Sequence, residues 1–325
     1  MKRFVLVAGR AVWLLLVFAT ASEVCAQTYP SKVVRMIVPA APGSGTDIFC
    51  RILAGGLTEV FGQQVIIDNR AGAASNLGTE LATRAPPDGY TVLLVNIAQA
   101  INATLYRNLP YDLLRDFSPV TLSATGPAAL VVHPSLPVKT VGELVKLAKA
   151  KPGAINYASA NPGSFTFLAS ELFKIQAGIN MLHVPFRGGG EALTSVIGGE
   201  TSVYLAPAAI ALPLIRTGRL RGLAVTSKQR LPVLPDLPTI AASGYPDYET
   251  GNWYGFVVPA RTPKETIVTL RNATVTALNN GGISKRLTEL GYITIGSQPE
   301  EFGAHLKLEV AVLGKIIKSF NLTAD

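Results

Sequence analysis

The chain has 325 residues, with 29 Lys and Arg against 21 Asp and Glu and a formal charge of +8. The basic residues are scattered, with no run of five or more, which excludes a nucleic-acid-binding stripe. The length exceeds one typical domain and suits two.

In chain order, the N-terminus has the three-part layout of a secretory leader. Lys2, Arg3 and Arg10 form a basic start, Val12 to Ala21 an apolar run, and Val24-Cys25-Ala26 a small-residue cleavage site before Gln27. The apolar run falls short of the roughly 20 residues a membrane-spanning helix needs, and Glu23 fits a lipoprotein anchor at Cys25 poorly. Cleavage of residues 1–26 removes Lys2, Arg3, Arg10 and Glu23, leaving 26 basic against 20 acidic residues and the single Cys50. One cysteine makes no intrachain disulfide and no Cys-based metal site. Among Ile48, Phe49, Ile52 and Leu53 it reads as a buried, inert thiol.

The mature chain repeats one phrase: a β-branched apolar strand, a loop rich in Gly, Pro, Ser and Asn, then a helix. Residues 33–39 form a strand, 40–45 a loop and 46–61 a helix. Residues 64–68, 69–75 and 76–84 repeat the pattern, and Pro87-Asp88-Gly89 turns the chain into a strand over 90–95. Further on come a strand over 129–133, a helix over 141–150, and a loop from Tyr157 to Pro162 leading into a helix over 164–177. A strand over 182–185, a loop over 186–190 and a helix over 191–197 follow, then strands over 201–205 and 222–226. Strands alternating with helices predict βαβ units and mainly parallel sheets, and near-continuous apolar strands predict sheets covered on both faces. Crossings between two α/β domains are expected near Thr125-Gly126-Pro127 and near residues 251–255. Helices over 264–279 and 299–320 return to the first domain.

Loops after parallel strands gather at one sheet edge, where ligands bind. Each leads into a helix start, with unpaired N–H groups and about half a positive charge. Four loops suit close backbone approach: Ala41-Pro42-Gly43-Ser44-Gly45-Thr46-Asp47, Asn69-Arg70-Ala71-Gly72-Ala73, Ser159-Ala160-Asn161-Pro162-Gly163-Ser164 and Phe186-Arg187-Gly188-Gly189-Gly190. Ser44, Thr46, Ser159, Asn161, Ser164 and Thr166 add neutral hydrogen-bonding groups, so together these loops form an anion site that needs no dedicated cation. Singly, each is also an ordinary turn, and Thr46 or Asp47 is also a helix cap. Arg187 pairs with a ligand carboxylate, pairs across the cleft, or stands solvated. Trp253 walls the cleft or packs a crossing.

Enzyme readings find little support. The segment Gly43-Ser44-Gly45-Thr46 lacks the Walker lysine and the third glycine of a dinucleotide fingerprint, and no G-x-S-x-G elbow occurs. His133, His183 and His305 are far apart in sequence, and His133 and His183 end apolar strands as structural histidines do. No cofactor or metal is expected.

These residues resemble a known family. The segments Tyr29-Pro30-Ser31-Lys32, Pro42 to Asp47, Asp68 to Ala73 and Pro87 to Thr91 are similar to the Bug receptors, the extracytoplasmic solute-binding proteins of tripartite tricarboxylate transporters. So are Leu109 to Asp112, Asn156 to Ser159, His183 to Gly188, Leu223 to Ser227, Leu234 to Thr239 and Trp253 to Gly255. The likeness covers nearly the whole mature chain.

The resemblance implies a two-lobed type II periplasmic-binding-protein fold, with residues 27–127 and 253–325 as one lobe and 128–252 as the other. It implies a small carboxylate ligand held largely by loop amides and hydroxyls, and membrane permease subunits as partners of a periplasmic monomer. By position, the family's ligand loops fall on Ala41 to Asp47, Asn96 to Ala98, Ser159 to Thr166 and Phe186 to Gly188. Where many members carry an acidic residue after the equivalent of Tyr204, this chain has Leu205-Ala206-Pro207. A plain organic acid is therefore expected in preference to one carrying an ammonium group. A ligand sensor for a signalling system is the alternative; an exported hydrolase is the remote one.

Overall fold

The computed structural model describes residues 29–319. The expected leader over residues 1–26 and the Cys25 question lie outside the described residues.

The first sheet takes up most of the first third of the chain. Strands β1 (Val34–Val38), β2 (Val65–Asn69) and β3 (Thr91–Asn96) alternate with helices α1 (Gly45–Phe61), α2 (Asn76–Thr83) and α3 (Ile97–Leu105). The long β4 (Phe117–Gly126) then runs out of this sheet, and a single residue, Pro127, separates it from β5 (Ala128–Val132) in the second sheet. There follow α4 (Val141–Ala150), β6 (Asn156–Ser159), α5 (Phe165–Ala177), β7 (Leu182–Pro185), α6 (Gly189–Ile197), β8 (Val203–Pro207), α7 (Ala208–Arg216) and β9 (Arg221–Val225). The chain returns to the first sheet through β10 (Asn252–Pro259). It ends with α8 (Lys264–Asn279), α9 (Gly281–Glu289), the two-residue β11 (Ile293–Thr294) and α10 (Pro299–Ser319).

The strand orders are β11-β4-β10-β3-β1-β2 and β7-β6-β8-β5-β9. Within them β1 pairs in parallel with β2 and β3, and β6 with β7 and β8. Every strand-to-strand pairing made by β4, β5, β9, β10 or β11 is antiparallel, apart from one isolated parallel bridge between Val225 and Thr239. The expectation of mainly parallel sheets is therefore corrected: parallel βαβ units form one flank of each sheet, and the other flank is antiparallel. The reason is connectivity. The strands that carry the chain from one sheet to the other run against their neighbours, and local hydrophobic pattern carries no record of that direction.

Near-continuous apolar strands are buried along their length, as in β5, where all five residues are buried, and β10, where all eight are. Such strands lie under helices on both faces. Gly255 in β10 sits directly under the Phe302 ring of α10; a Cβ there would lie 2.1 Å from Phe302 Cζ. Trp253 packs on the same helix, edge-on to Phe302 and His305, and its indole N–H donates to Glu309 Oε2 at 2.9 Å. Trp253 thus fastens α10 to β10. Cys50 is fully buried in α1, and burial pushes its thiol well above the ordinary value, which leaves it inert as expected.

Candidate functional site

A cleft of about 540 Å³ opens where the helix starts of both sheets meet. From the first sheet it is lined by the loops after β1, β2 and β3; from the second, by the loops after β6, β7 and β8. Six helix starts, those of α1, α2, α3, α5, α6 and α7, contribute to its wall. The only ionisable side chains in the lining other than Tyr204 are Arg187 and Glu191, both exposed.

Each loop has its own local logic. Ser44 is extended and its hydroxyl accepts the Asp47 N–H at 3.2 Å, so α1 begins with the Gly45 and Thr46 amides ahead of any intrahelical acceptor. Asp47 is 2% exposed and stays behind the wall. Its carboxylate accepts from the Gly43 N–H and the Arg51 Nε–H at 2.9 Å each, and from Asn69 Nδ2 at 2.9 Å. One buried carboxylate therefore ties the β1 loop to the β2 strand end. Burial raises its pKa, but the hydrogen bonds from Arg51, Gly43 and Asn69 win and hold it below the usual carboxylate value.

After β2 the backbone makes a left-handed turn without glycine: Ala73, Ala74 and Ser75 have φ of 45°, 52° and 78°. Each such residue costs roughly 1–2 kcal/mol relative to the right-handed form. The turn is held from α3, where Asn102 Nδ2 donates to Ala74 O at 2.6 Å, and locally from α2, where Thr79 Oγ1 donates to Ser75 O at 2.9 Å. Ala71 to Ser75 all line the cleft, and strain of this kind concentrates where ligands bind. After β3, Asn96 closes α3 with a capping box: its Oδ1 accepts the Ala98 N–H at 2.8 Å, and Gln99 Oε1 accepts the Asn96 N–H at 2.9 Å.

On the second side, Ser164 caps α5 by accepting the Phe167 N–H at 3.2 Å. Helices α6 and α7 start at Gly188 and Pro207 with no side-chain cap. The two sides approach closely through glycines. A Cβ on Gly188 would lie 3.2 Å from Ala41 Cβ, one on Gly45 3.2 Å from Pro207 Cβ, and one on Gly163 2.8 Å from Asn102 Oδ1.

The cleft therefore presents main-chain donors and neutral hydroxyls from two facing walls, with no buried charge among its lining residues. Comparison with known proteins agrees with that chemistry. Residues 49–322 match the model of the "Tripartite tricarboxylate transporter family receptor". The chain belongs to this receptor family. BugT of Bordetella pertussis is 33% identical over 283 residues, 86% of this chain and 87% of BugT. A Rhodopseudomonas palustris protein solved with adipate is 33% identical, covers 91% of this chain and 99% of its own, and superposes with a TM-score of 0.88. MatC from Rhodopseudomonas palustris, solved with bound malate, is 27% identical with a TM-score of 0.84 over 89% of this chain and 100% of MatC. The receptor thus has the two-lobed fold of periplasmic binding proteins that its sequence implies.

Of the residues singled out in the sequence, the receptor brings Ala41, Ser44, Thr46, Asn96, Ala98, Asn161, Ser164, Thr166, Arg187 and Gly188 together in the cleft wall. Pro42, Gly43, Asp47, Ser159 and Ala206 are not in the lining. Gly43 and Asp47 bond to each other behind it. Ser159 is buried with its hydroxyl on His183 Nε2 at 2.7 Å, and the His183 ring stacks on Tyr157 at 4.9 Å. Ala206 is fully buried in β8 opposite Ala129. Arg187 forms no ion pair among the described residues and is exposed; its N–H donates to Glu191 Oε2 at 3.1 Å.

The lining also contains residues that sequence reading did not assign to the site: Tyr204, Pro207, Ile210 and Asn252. Asn252 is 5% exposed at the start of β10, and its Oδ1 accepts the Ile97 N–H at 3.4 Å. A polar residue opening an otherwise apolar strand is the signal that would have marked it. Tyr204 lies mid-strand among apolar neighbours, where nothing local distinguishes it from core.

Proposed function

We propose that this receptor captures a small organic carboxylate in the periplasm and delivers it, without chemical turnover, to membrane permease subunits of a tripartite tricarboxylate-type transporter. The observation that carries the reading is the convergence of six helix starts on one cleft whose only strongly charged side chains, Arg187 and Glu191, stand at its exposed edge. Helix starts favour anions, and amides at the bottom of a closing cleft strengthen as water leaves. An acid held this way needs no buried lysine or arginine. The adipate and malate seen in the two relatives are acids of the size and kind such a wall accepts.

In this reading residues 27–127 with 253–325 form one lobe and 128–252 the other, and closure is a hinge motion at the two crossings. A ligand docks first on Ala41, Ser44, Thr46, Asn96 and Ala98; the second lobe then adds Asn161, Ser164, Thr166, Arg187 and Gly188. The leader over residues 1–26 supports export, and among the described residues no helix is long and apolar enough to cross a membrane. The receptor acts as a monomer in this scheme.

Titration calorimetry of residues 27–325 against mono-, di- and tricarboxylates, adipate and malate included, tests the proposal. Saturable one-to-one binding of at least one acid is expected. If none binds, and native mass spectrometry of the purified protein shows no acid already seated in the cleft, carboxylate capture is wrong.

A further inference from the structure

The Gly45–Thr46 peptide opens α1, and its two polar ends face opposite ways. In a trans peptide the C=O and N–H are antiparallel, so holding the Gly45 carbonyl also aims the Thr46 N–H. That N–H precedes any intrahelical acceptor, and Thr46 lines the cleft. At the other end of the peptide, the Gly45 carbonyl accepts the Tyr292 hydroxyl at 2.5 Å. Tyr292 stands 247 residues further along the chain and outside the lining, so α1 receives this bond from behind the wall.

Tyr292 is 3% exposed, in the turn between α9 and β11. Its ring tilts against Phe49 of α1 at 5.4 Å and meets Tyr254 of β10 edge-on at 5.6 Å. A Cβ on Gly126, the last residue of β4, would lie 3.2 Å from Tyr292 Cδ1, and one on Gly45 would lie 3.5 Å from Tyr292 Oη. Glycine at both positions lets the ring and its hydroxyl reach the helix start. Burial pushes the phenol well above its ordinary value, so it stays protonated and donates. The first carbonyl of an α-helix already has a place in the helix ladder, accepting the N–H four residues on. The Tyr292 bond is therefore additional to what forming α1 requires. A second donor on that oxygen polarises the peptide and strengthens the N–H at its far end.

We infer that Tyr292 is a positioning residue for acid binding: its hydroxyl fixes and polarises the Gly45–Thr46 peptide, so that the Thr46 N–H meets the ligand carboxylate already aimed. The inference rests on the carboxylate reading above and deepens it, because it assigns part of the affinity to a residue that never touches the acid. Tyr248 supplies the internal comparison. It too is buried, and its hydroxyl donates to a helix carbonyl, Ala169 O of α5, at 2.9 Å. Ala169 lies past the first turn of α5 and outside the cleft lining, so the N–H of its peptide is used within the helix and faces no ligand.

The test removes one hydroxyl at a time, with Tyr292→Phe and Tyr248→Phe, and titrates each variant by calorimetry with adipate, malate and citrate. For the acids that wild type binds, Y292F should raise Kd about threefold or more, part of the worth of one hydrogen bond to a charged group, and Y248F should leave Kd within about 1.5-fold. Both variants lose a buried hydrogen bond and should lose similar stability, so a purely structural role predicts no difference between them. In the unliganded protein the Thr46 amide proton resonance should move upfield in Y292F, because a less polarised peptide deshields its proton less, while Y248F leaves it in place. Equal affinities in Y292F and Y248F, or an unmoved Thr46 resonance, overturn the positioning role and leave carboxylate capture standing. Failure of wild type to bind any of the three and any other acid overturns both.

Discussion

On the side of the cleft fed by the first sheet, two of the three helix starts are closed by their own side chains. Ser44 takes the Asp47 amide, and Asn96 and Gln99 form a capping box. Behind them Asp47 joins Gly43, Asn69 and Arg51, and the left-handed turn at Ala73 to Ser75 is pinned by Asn102 and Thr79. On the side fed by the second sheet only α5 is capped by a side chain, while the starts of α6 and α7 carry no side-chain cap. One wall is closed largely by its own hydrogen bonds; the other leaves more of its helix starts open. Substitutions of the residues that brace the first wall should therefore cost the most stability, whereas those at the open helix starts of the second should act chiefly on affinity.

The largest effect is expected at Asp47. Its replacement by Ala strands the Gly43 and Asn69 donors and should lower the unfolding free energy by about 2–4 kcal/mol, read from urea denaturation at neutral pH. The acid response has a definite sign. Asp47 and Asp68 are both held below the usual carboxylate value despite burial, Asp47 by Arg51, Gly43 and Asn69, and Asp68 by Arg35 and Arg70. A carboxylate with a lowered folded-state pKa adds stability at neutral pH, and that contribution is lost as pH falls through and below the usual carboxylate value. D47A should flatten this acid decline; an acid limb as steep as wild type's would show that Asp47 has no such role.

Next comes Asn96→Ala, which removes one half of the α3 capping box. A loss of about 1–2 kcal/mol in stability is expected, visible as a lowered melting temperature. A melting temperature equal to wild type's would break the claim that the first wall holds itself together.

The smallest effect is placed on the other side. Gly188→Ala is free of backbone strain, since φ there is −168°, but its Cβ meets Ala41 across the cleft at 3.2 Å. Melting should stay within about 0.5 kcal/mol of wild type. Affinity for the acids that wild type binds should fall about fivefold, or ~1 kcal/mol, because closure stops short. Loss of stability without loss of affinity would reverse the assignment of the two walls.

Much of this was legible beforehand because glycine-rich loops following β-branched strands mark sheet edges; the loops after β1, β2, β6 and β7 all reach the cleft. Helices α3 and α7 were not. Each continues an apolar strand without a break, as in Val95-Asn96-Ile97-Ala98 and Ala206-Pro207-Ala208-Ala209, so period alone does not separate the two elements. Strand β10 was hidden for the opposite reason: Gly251 and Gly255 read as a crossing, whereas Gly255 lies inside the strand to make room for Phe302. Ser159 and Asp47 were legible as polar loop residues but not as ones facing inward, because His183 and Asn69, which claim them, come from distant segments.

The left-handed turn at Ala73 to Ser75 narrows how this receptor can drift. Branched or bulky side chains crowd their own backbone at positive φ, so the alphabet open to these three positions is short. Arg187, on an exposed loop and outside the left-handed region, carries no such restriction. New ligand preferences are therefore more accessible by exchange at the edge of the second sheet than by rewriting the floor laid down after β2.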